Sequence, residues 1–258
     1  MINQVSNGYV KSELHNGVTT IEFYHPQSNS LPLKILDELA QTIHRAGNDD
    51  ETKLIVLGSA GGEKAFCAGA SFDELASIQN AEQGLQFFSG FAHVINAMRT
   101  CPKFIIARVH GKCVGGGVGL VAAADYAIAT EHAEIKLSEL AIGIGPFVVG
   151  PAVERKIGTS AFTQLAIDAQ MWRSAQWAGR KGLFAEVHAN AGEMDESLAR
   201  LKNALVNSSP TAMAEMKKIF WNGTENWDHV LLERAAISGK LVLSSFTKGA
   251  IERFKAKR

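Results

Sequence analysis

The sequence predicts an α/β body followed by an all-helical C-terminal segment. Up to about residue 190, short β-branched runs alternate with stretches whose apolar residues recur at helical spacing. From Glu193 onward only helical spacing remains. In addition, two glycine-punctuated stretches each follow an apolar run, the pattern of a strand entering a tight turn. The expected division is a body over 1–194 and a helical segment over 195–258.

The elements follow in order. Asn16-Gly17, between alternating runs 9–15 and 18–24, is the signal of a two-residue type I′ hairpin. Leu33, Leu36, Leu39, Ala40 and Ile43 predict a helix over 32–46. Residues 54–59 form a short apolar run between turns, hence a buried strand. Leu85, Phe88, Phe91, Ile95 and Met98 share one side of a helix over 82–99, and Pro102 opens a strand over 103–109. The glycines at 115, 116, 117 and 119 then lead into a buried helix around 120–124. Strands are expected at 125–129, 134–137 and 183–188, with helices at 148–157 and 159–169 between them. The remaining helices center on Leu198-Leu201-Leu205, Met213-Met216-Ile219-Phe220, 230–241 and 251–257. No internal repeat is evident in the sequence.

Composition removes several function classes. The 258 residues suffice for one large core. Lys plus Arg equal Asp plus Glu at 26 each, so no net charge draws the chain to nucleic acid or to an anionic membrane. Cys67, Cys101 and Cys113 are odd in number and lack metal-ligand spacing, which suits free thiols in a reducing compartment. No apolar run approaches the ~20 residues of a membrane span, and residues 1–10 hold no apolar signal core. A soluble, cytoplasmic protein is the expectation, with no metal site.

The chemistry concentrates in two turns and one acid. Val109-His110-Gly111-Lys112-Cys113-Val114-Gly115-Gly116-Gly117-Val118-Gly119 places bare backbone N–H groups at a helix start, where an anion is favored. Phe66-Cys67-Ala68-Gly69-Ala70-Ser71-Phe72-Asp73 is a second such turn upstream. Glu139 stands among Leu137, Leu140, Ile142, Ile144 and Phe147. A carboxyl in so dry a setting has its pKa raised, which suits a general base. The bland alternatives are two ordinary turns and a solvated acid. Asp73 and Glu74 fit the first turn of a short helix, and Asp125 reads as structural. No His clusters in sequence with a Ser or Cys and an acid, so no hydrolase triad is expected.

Together, Phe66-Cys67-Ala68-Gly69-Ala70, then His110-Gly111 with Gly115-Gly116-Gly117, Asp125 and Glu139, resemble the crotonase superfamily of enoyl-CoA hydratases and isomerases. The resemblance spans nearly the whole chain and includes a C-terminal ending similar to Phe254-Lys255-Ala256-Lys257-Arg258. It implies a spiral of ββα units with a C-terminal helical trimerisation segment, as a homotrimer or dimer of trimers. It assigns oxyanion donors to the N–H groups of Ala70 and Gly116, and the catalytic acid to Glu139. An acyl-CoA thioester would meet Phe66, Ala68, Ala70, Ser71, Phe72, Gly115, Gly116, Gly119, Phe147 and Lys257. No cofactor is implied beyond the coenzyme A that the substrate carries. For Lys257 and Arg258 two readings stand: contacts to a coenzyme A phosphate, or a solvated basic tail.

One departure shapes the expected reaction. Typical hydratases carry a second Glu two residues past the glycine triplet, where this chain has Gly119. Adding water in the syn sense uses both carboxylates; a single acid suits a proton shuttle that moves an enoyl double bond. Pro146-Phe147 resembles a Pro-Phe of the single-acid isomerases, and Phe147 occupies the position of an extra Asp in the dienoyl isomerases. The alternatives are a hydratase and a non-catalytic CoA-binding scaffold. A nucleotide-binding module is disfavored, because the glycines lack G-x-G-x-x-G spacing and no Gly-Lys-Ser/Thr follows. The helical segment is expected to expose Met213, Met216, Phe220, Trp221 and Trp227, enough apolar surface to require a partner copy.

Overall fold

The chain alternates between two sheets. In the computed structural model, which describes residues 8–62 and 64–255, the hairpin β1 (Tyr9–His15) and β2 (Val18–Tyr24) starts a six-stranded sheet. Asn16 and Gly17 both have positive φ, 49° and 78°, as a type I′ turn requires. The helix α1 (Leu33–Asn48) then leads to β3 (Leu54–Ser59), which pairs parallel to β2. The strand β4 (Ala65–Cys67) leaves for a second, three-stranded sheet. After α2 (Phe72–Ser77) and α3 (Ala81–Thr100), the same step recurs: β5 (Phe104–Val109) joins the large sheet and β6 (Lys112–Val114) the small one. It recurs again, after α4 (Gly116–Ala123), with β7 (Tyr126–Thr130) and β8 (Ile135–Lys136). The large sheet runs β1-β2-β3-β5-β7 and ends on β9 (Glu186–His188), and the small one runs β4-β6-β8, so the spiral of repeated units exists in topology although no sequence repeat announces it.

The helix α5 (Gly150–Ile167) breaks at Gly158, whose φ is 77°, which accounts for the two separate helical periods in its sequence. After α6 (Ala175–Arg180), the last strand, β9 (Glu186–His188), is shorter than the expected 183–188; Leu183 and Phe184 precede it as buried loop residues. Four helices follow: α7 (Ala191–Val206), α8 (Pro210–Phe220), α9 (Trp227–Leu241) and α10 (Ser245–Lys255). Among the described residues no helix is long and apolar enough to cross a membrane.

Both faces of the large sheet are covered, which is why its central strands are continuously apolar. In β3, Ile55 and Leu57 join the main core with α1 and α3, whereas Leu54 and Val56 face a second core with Met194, Leu198 and Met213 from α7 and α8. The C-terminal helices are therefore partly integral to the body. This corrects the expected exposure of Met213, Trp221 and Trp227, all buried; Met216 and Phe220 are exposed. Leu85 also departs from its expected buried side and is exposed at the rim of α3.

Asp125 ties the two parts together. Its Oδ2 accepts from the Ile105 N–H at 2.7 Å and faces Lys217 Nζ at 2.8 Å; its Oδ1 accepts from Trp221 Nε1 at 3.1 Å. Lys217, nearly fully buried, also donates to the Lys103 carbonyl at 2.7 Å. Removing one member of a buried pair leaves the other charge uncompensated. Lys217→Ala is expected to destabilize the fold by about 3 kcal/mol, read as a lower denaturant midpoint with an unchanged slope. A variant with wild-type stability would show that Asp125 needs only its two N–H donors.

Candidate active site

The two glycine turns lie against each other. Gly69, with φ 83°, carries the first turn, and a Cβ placed on it would lie 2.8 Å from the Val114 carbonyl and 3.4 Å from the Gly116 nitrogen. A Cβ on Gly117 would lie 2.6 Å from the Cys67 carbonyl, so only bare backbone permits the approach. Leu31 bridges Ala70 in parallel fashion, donating to the Gly69 carbonyl at 2.7 Å and accepting from the Ser71 N–H at 3.2 Å. That pairing turns the N–H of Ala70 itself away from Leu31. In the second turn Gly115, at φ 51° and ψ −112°, donates to the Lys136 carbonyl at 2.9 Å and starts α4, of which Gly116 is the first residue. Among the described residues, neither the Ala70 nor the Gly116 N–H donates to a protein acceptor. Both residues line one pocket.

Glu139 faces this pair. It follows β8 and precedes a 3₁₀ turn, Leu140–Ile142, that Gly143 ends at φ 82°. Its carbonyl accepts from the N–H groups of Ile142 and Ile144 at 3.2 and 3.0 Å, which fixes the residue from behind. A Cβ on Gly115 would lie 2.9 Å from Glu139 Oε1, so the carboxyl rests on the residue next to Gly116. The residue as a whole is half-buried, but Oε2 is shut off from solvent and has no hydrogen-bond partner among the described residues. Burial pushes its pKa up to about 7, opposed only by its own backbone N–H.

The pocket encloses about 520 Å³, open solvent at its mouth included. Of the residues expected from sequence, Ala68, Ala70, Phe72, Gly115, Gly116, Glu139 and Phe147 line it. Three others do not. Phe66 is fully buried, edge-on to Phe23 at 5.5 Å, and supports the turn from the core. Ser71 is the N-cap of α2, its hydroxyl accepting from the Glu74 N–H. Gly119 is covered by Val149, which lines the pocket in its place. Lys257 and Arg258 lie outside the described residues. The lining missed from sequence includes Leu75, Phe88, Phe91, Val149 and Ser238, which come from four separate helical regions. Phe88 and Phe91 gave a signal as one face of α3; nothing in the sequence marked Ser238.

Val149 decides what Gly119 can become. A Cβ at 119 would lie 2.5 Å from Val149 Cγ1 and 2.7 Å from Val149 Cβ. Gly119→Glu, which would install a second acid beside the glycines, does not fit without moving that side chain. The substitution is expected to destabilize by about 1–3 kcal/mol and to leave hydration unimproved. A stable Gly119→Glu protein with faster hydration would show that Val149 gives way.

The pocket opens into an outer groove that shares Ala68, Ala70, Phe72, Val114 and Ser138 with it. Phe72 and Phe254 stack there at 4.2 Å, which docks α10 over the mouth. The ammonium groups of Lys112 and Lys136 lie 4.6 and 4.5 Å from the Trp172 ring. Burial, then the Lys112 charge, pulls the Lys136 pKa down. The structure also brings one serine to a histidine, although no such cluster is visible in the sequence. Ser30 Oγ lies 2.9 Å from His25 Nδ1, beside the outer groove rather than in the Glu139 pocket.

Known proteins resemble the chain in sequence and in fold. The Bacillus subtilis (strain 168) protein named probable enoyl-CoA hydratase is 27% identical over 243 residues, covering 93% of both chains. The Arabidopsis thaliana peroxisomal Delta(3,5)-Delta(2,4)-dienoyl-CoA isomerase is 26% identical over 212 residues, 76% of this chain and 74% of that one. The crystal structure of an enoyl-CoA hydratase from Bacillus halodurans superposes with a TM-score of 0.87 at 24% identity, covering 95% of this chain and 99% of that one, which supports the fold. The enoyl-CoA hydratase/isomerase family profile matches residues 13–256, and the chain belongs to that family, within the crotonase superfamily.

Proposed function

We propose that the protein moves the double bond of an enoyl-CoA thioester, with Glu139 carrying the proton and the N–H groups of Ala70 and Gly116 holding the thioester oxygen. The observation that carries this reading is that Glu139 is the only titratable group lining the pocket among the described residues. In the proposed step, Glu139 as carboxylate takes a proton from the carbon next to the thioester carbonyl. The C–H electron pair moves into the conjugated system and places negative charge on the carbonyl oxygen. Two preoriented N–H donors stabilize that charge without rearrangement. Glu139 then returns the proton at the far end of the former double bond, and the molecule leaves with unchanged composition. The thioester is its own electron sink, so the coenzyme A portion of the substrate is the only carrier the chemistry uses. The groove past Lys136 and Arg253 offers positive charge to its phosphates.

Hydration is the second reading, favored by the hydratase name of the Bacillus subtilis relative. It asks Glu139 alone to position and split a water, because no second acid lines the pocket among the described residues. A screen of enoyl-CoA thioesters with mass spectrometry of the products separates the two. Unchanged mass with shifted absorbance supports isomerization. A gain of one water overturns it in favor of hydration, and no turnover of any enoyl-CoA favors a CoA-binding scaffold.

We also propose a trimer or a dimer of trimers. Ile167, Ile219, Phe220 and Phe246 are each 45–74% exposed, apolar surface that packing against a partner copy would cover. Sedimentation at micromolar concentration is expected to give a trimeric or hexameric mass; a monomer would overturn this.

A further inference from the structure

Ser238 stands out in the pocket wall. It reaches that wall because α9 and α3 cross at backbone contact, glycine on glycine. A Cβ on Gly84 would lie 2.5 Å from the Gly239 carbonyl, and one on Gly239 would lie 2.6 Å from the Leu85 nitrogen. No larger residue permits so close a crossing. The adjacent Ser238 is thereby pressed into the lining of the Glu139 pocket, 1% exposed.

Its hydroxyl has no hydrogen-bond partner among the described residues. Serine and threonine in a helix commonly bond the carbonyl four residues back, as Thr42 does to Glu38 at 2.7 Å and Thr100 to Asn96 at 2.8 Å. Ser238 does not take that bond. Around it the wall is apolar: Leu75, Phe88, Phe91 and Val149. The other hydroxyl of the lining, Ser138, belongs to the mouth shared with the outer groove. The hydroxyl borders the pocket space, where water can pair with it; a ligand that displaces that water must bring a partner of its own or leave the hydroxyl unpaired.

We infer that Ser238 selects the acyl chain: it hydrogen-bonds an oxygen substituent carried beyond the reacting carbons, so the preferred substrates are oxygenated acyl-CoA thioesters rather than plain alkyl ones. This rests on the reading of the pocket as the acyl site. A site built to bond a substrate hydroxyl discriminates against the analogue lacking it, because its own polar group is then left unpaired.

The test is calorimetric binding of saturated thioesters, which requires no turnover. The probes are butanoyl-, pentanoyl- and hexanoyl-CoA and their ω-hydroxy counterparts, against the wild type and Ser238→Ala. The expected result is that, at one chain length, the ω-hydroxy thioester binds about tenfold tighter than its parent. In Ser238→Ala the ω-hydroxy thioester should bind no tighter than its parent. No preference at any length in the wild type, or a preference that survives in Ser238→Ala, overturns the inference. Because the wild-type arm alone can overturn it, the outcome does not depend on the variant folding. The two readings of the site fail separately. Preferential binding without turnover of any enoyl-CoA keeps the selector and removes the isomerase. Turnover of plain enoyl-CoA without preference does the reverse.

Discussion

Glu139→Gln is expected to lower kcat by about 10²–10⁴ while leaving the affinity for a saturated acyl-CoA within a few-fold of wild type. The amide keeps the shape of the side chain but can neither take nor return a proton, and the N–H groups of Ala70 and Gly116 do not depend on it. The wild type should also reveal the group by pH. With its carboxyl pushed up to about 7 by burial, the base form is scarce in mild acid, so kcat/KM should rise through pH about 7 and level off above it. Stability should move the other way. The folded pKa of about 7 lies above the ordinary 4.5, so the fold favors the protonated form. Stability is then fully present below about 4.5, declines as the pH rises toward 7, and stays lower by about 1–3 kcal/mol beyond. Glu139→Gln lacks this loss and should melt higher than wild type at alkaline pH, with the difference vanishing in acid. Wild-type turnover in the variant removes Glu139 from the reaction; equal melting curves at alkaline pH remove its buried charge.

What the sequence reveals follows from how local the cause is. The Asn16-Gly17 hairpin is set by two residues with positive φ, and its strands fall where the alternation places them. The run at 54–57 is continuously apolar because each face meets a different core, and continuity alone marks a buried strand. Gly158 shows as the gap between two helical periods. The strands of the small sheet have two or three residues each and leave almost no pattern of their own; they form because the turns around them are fixed. Helical spacing in the last segment says which residues share a face, but not what that face meets. Met213 and Trp221 therefore read as surface until α8 is laid on the sheet and Trp221 reaches Asp125. α10 begins at Ser245 rather than near 251, because Ser244 caps Thr247 and the docking of Phe254 on Phe72 holds the helix. At the site, the turns and Glu139 are contiguous motifs and were legible. The opposite wall is not, since Phe88, Val149 and Ser238 meet only through helix crossings far apart in sequence.

Gly116→Pro is expected to lower kcat by about 10²–10³ relative to Gly116→Ala, and that comparison isolates one hydrogen bond. Proline removes the N–H that would hold the thioester oxygen, while alanine keeps it. Both add a Cβ, and the structure makes this control necessary: a Cβ at 116 would lie 2.2 Å from the Phe91 ring, so either variant displaces that ring. A comparison of Gly116→Pro with wild type alone would mix the lost donor with the lost packing. Position 116 otherwise suits proline, being the first residue of α4, where a missing N–H breaks no helical bond. The loss should fall on kcat more than on the affinity for a saturated acyl-CoA, because negative charge on the oxygen develops only as Glu139 removes the proton. Equal kcat in the folded proline and alanine variants would mean that the Gly116 N–H is not a donor to the reacting oxygen. The Ala70 N–H would then hold it alone, and the close packing of Gly69 and Gly117 across the two turns would serve only to shape the pocket.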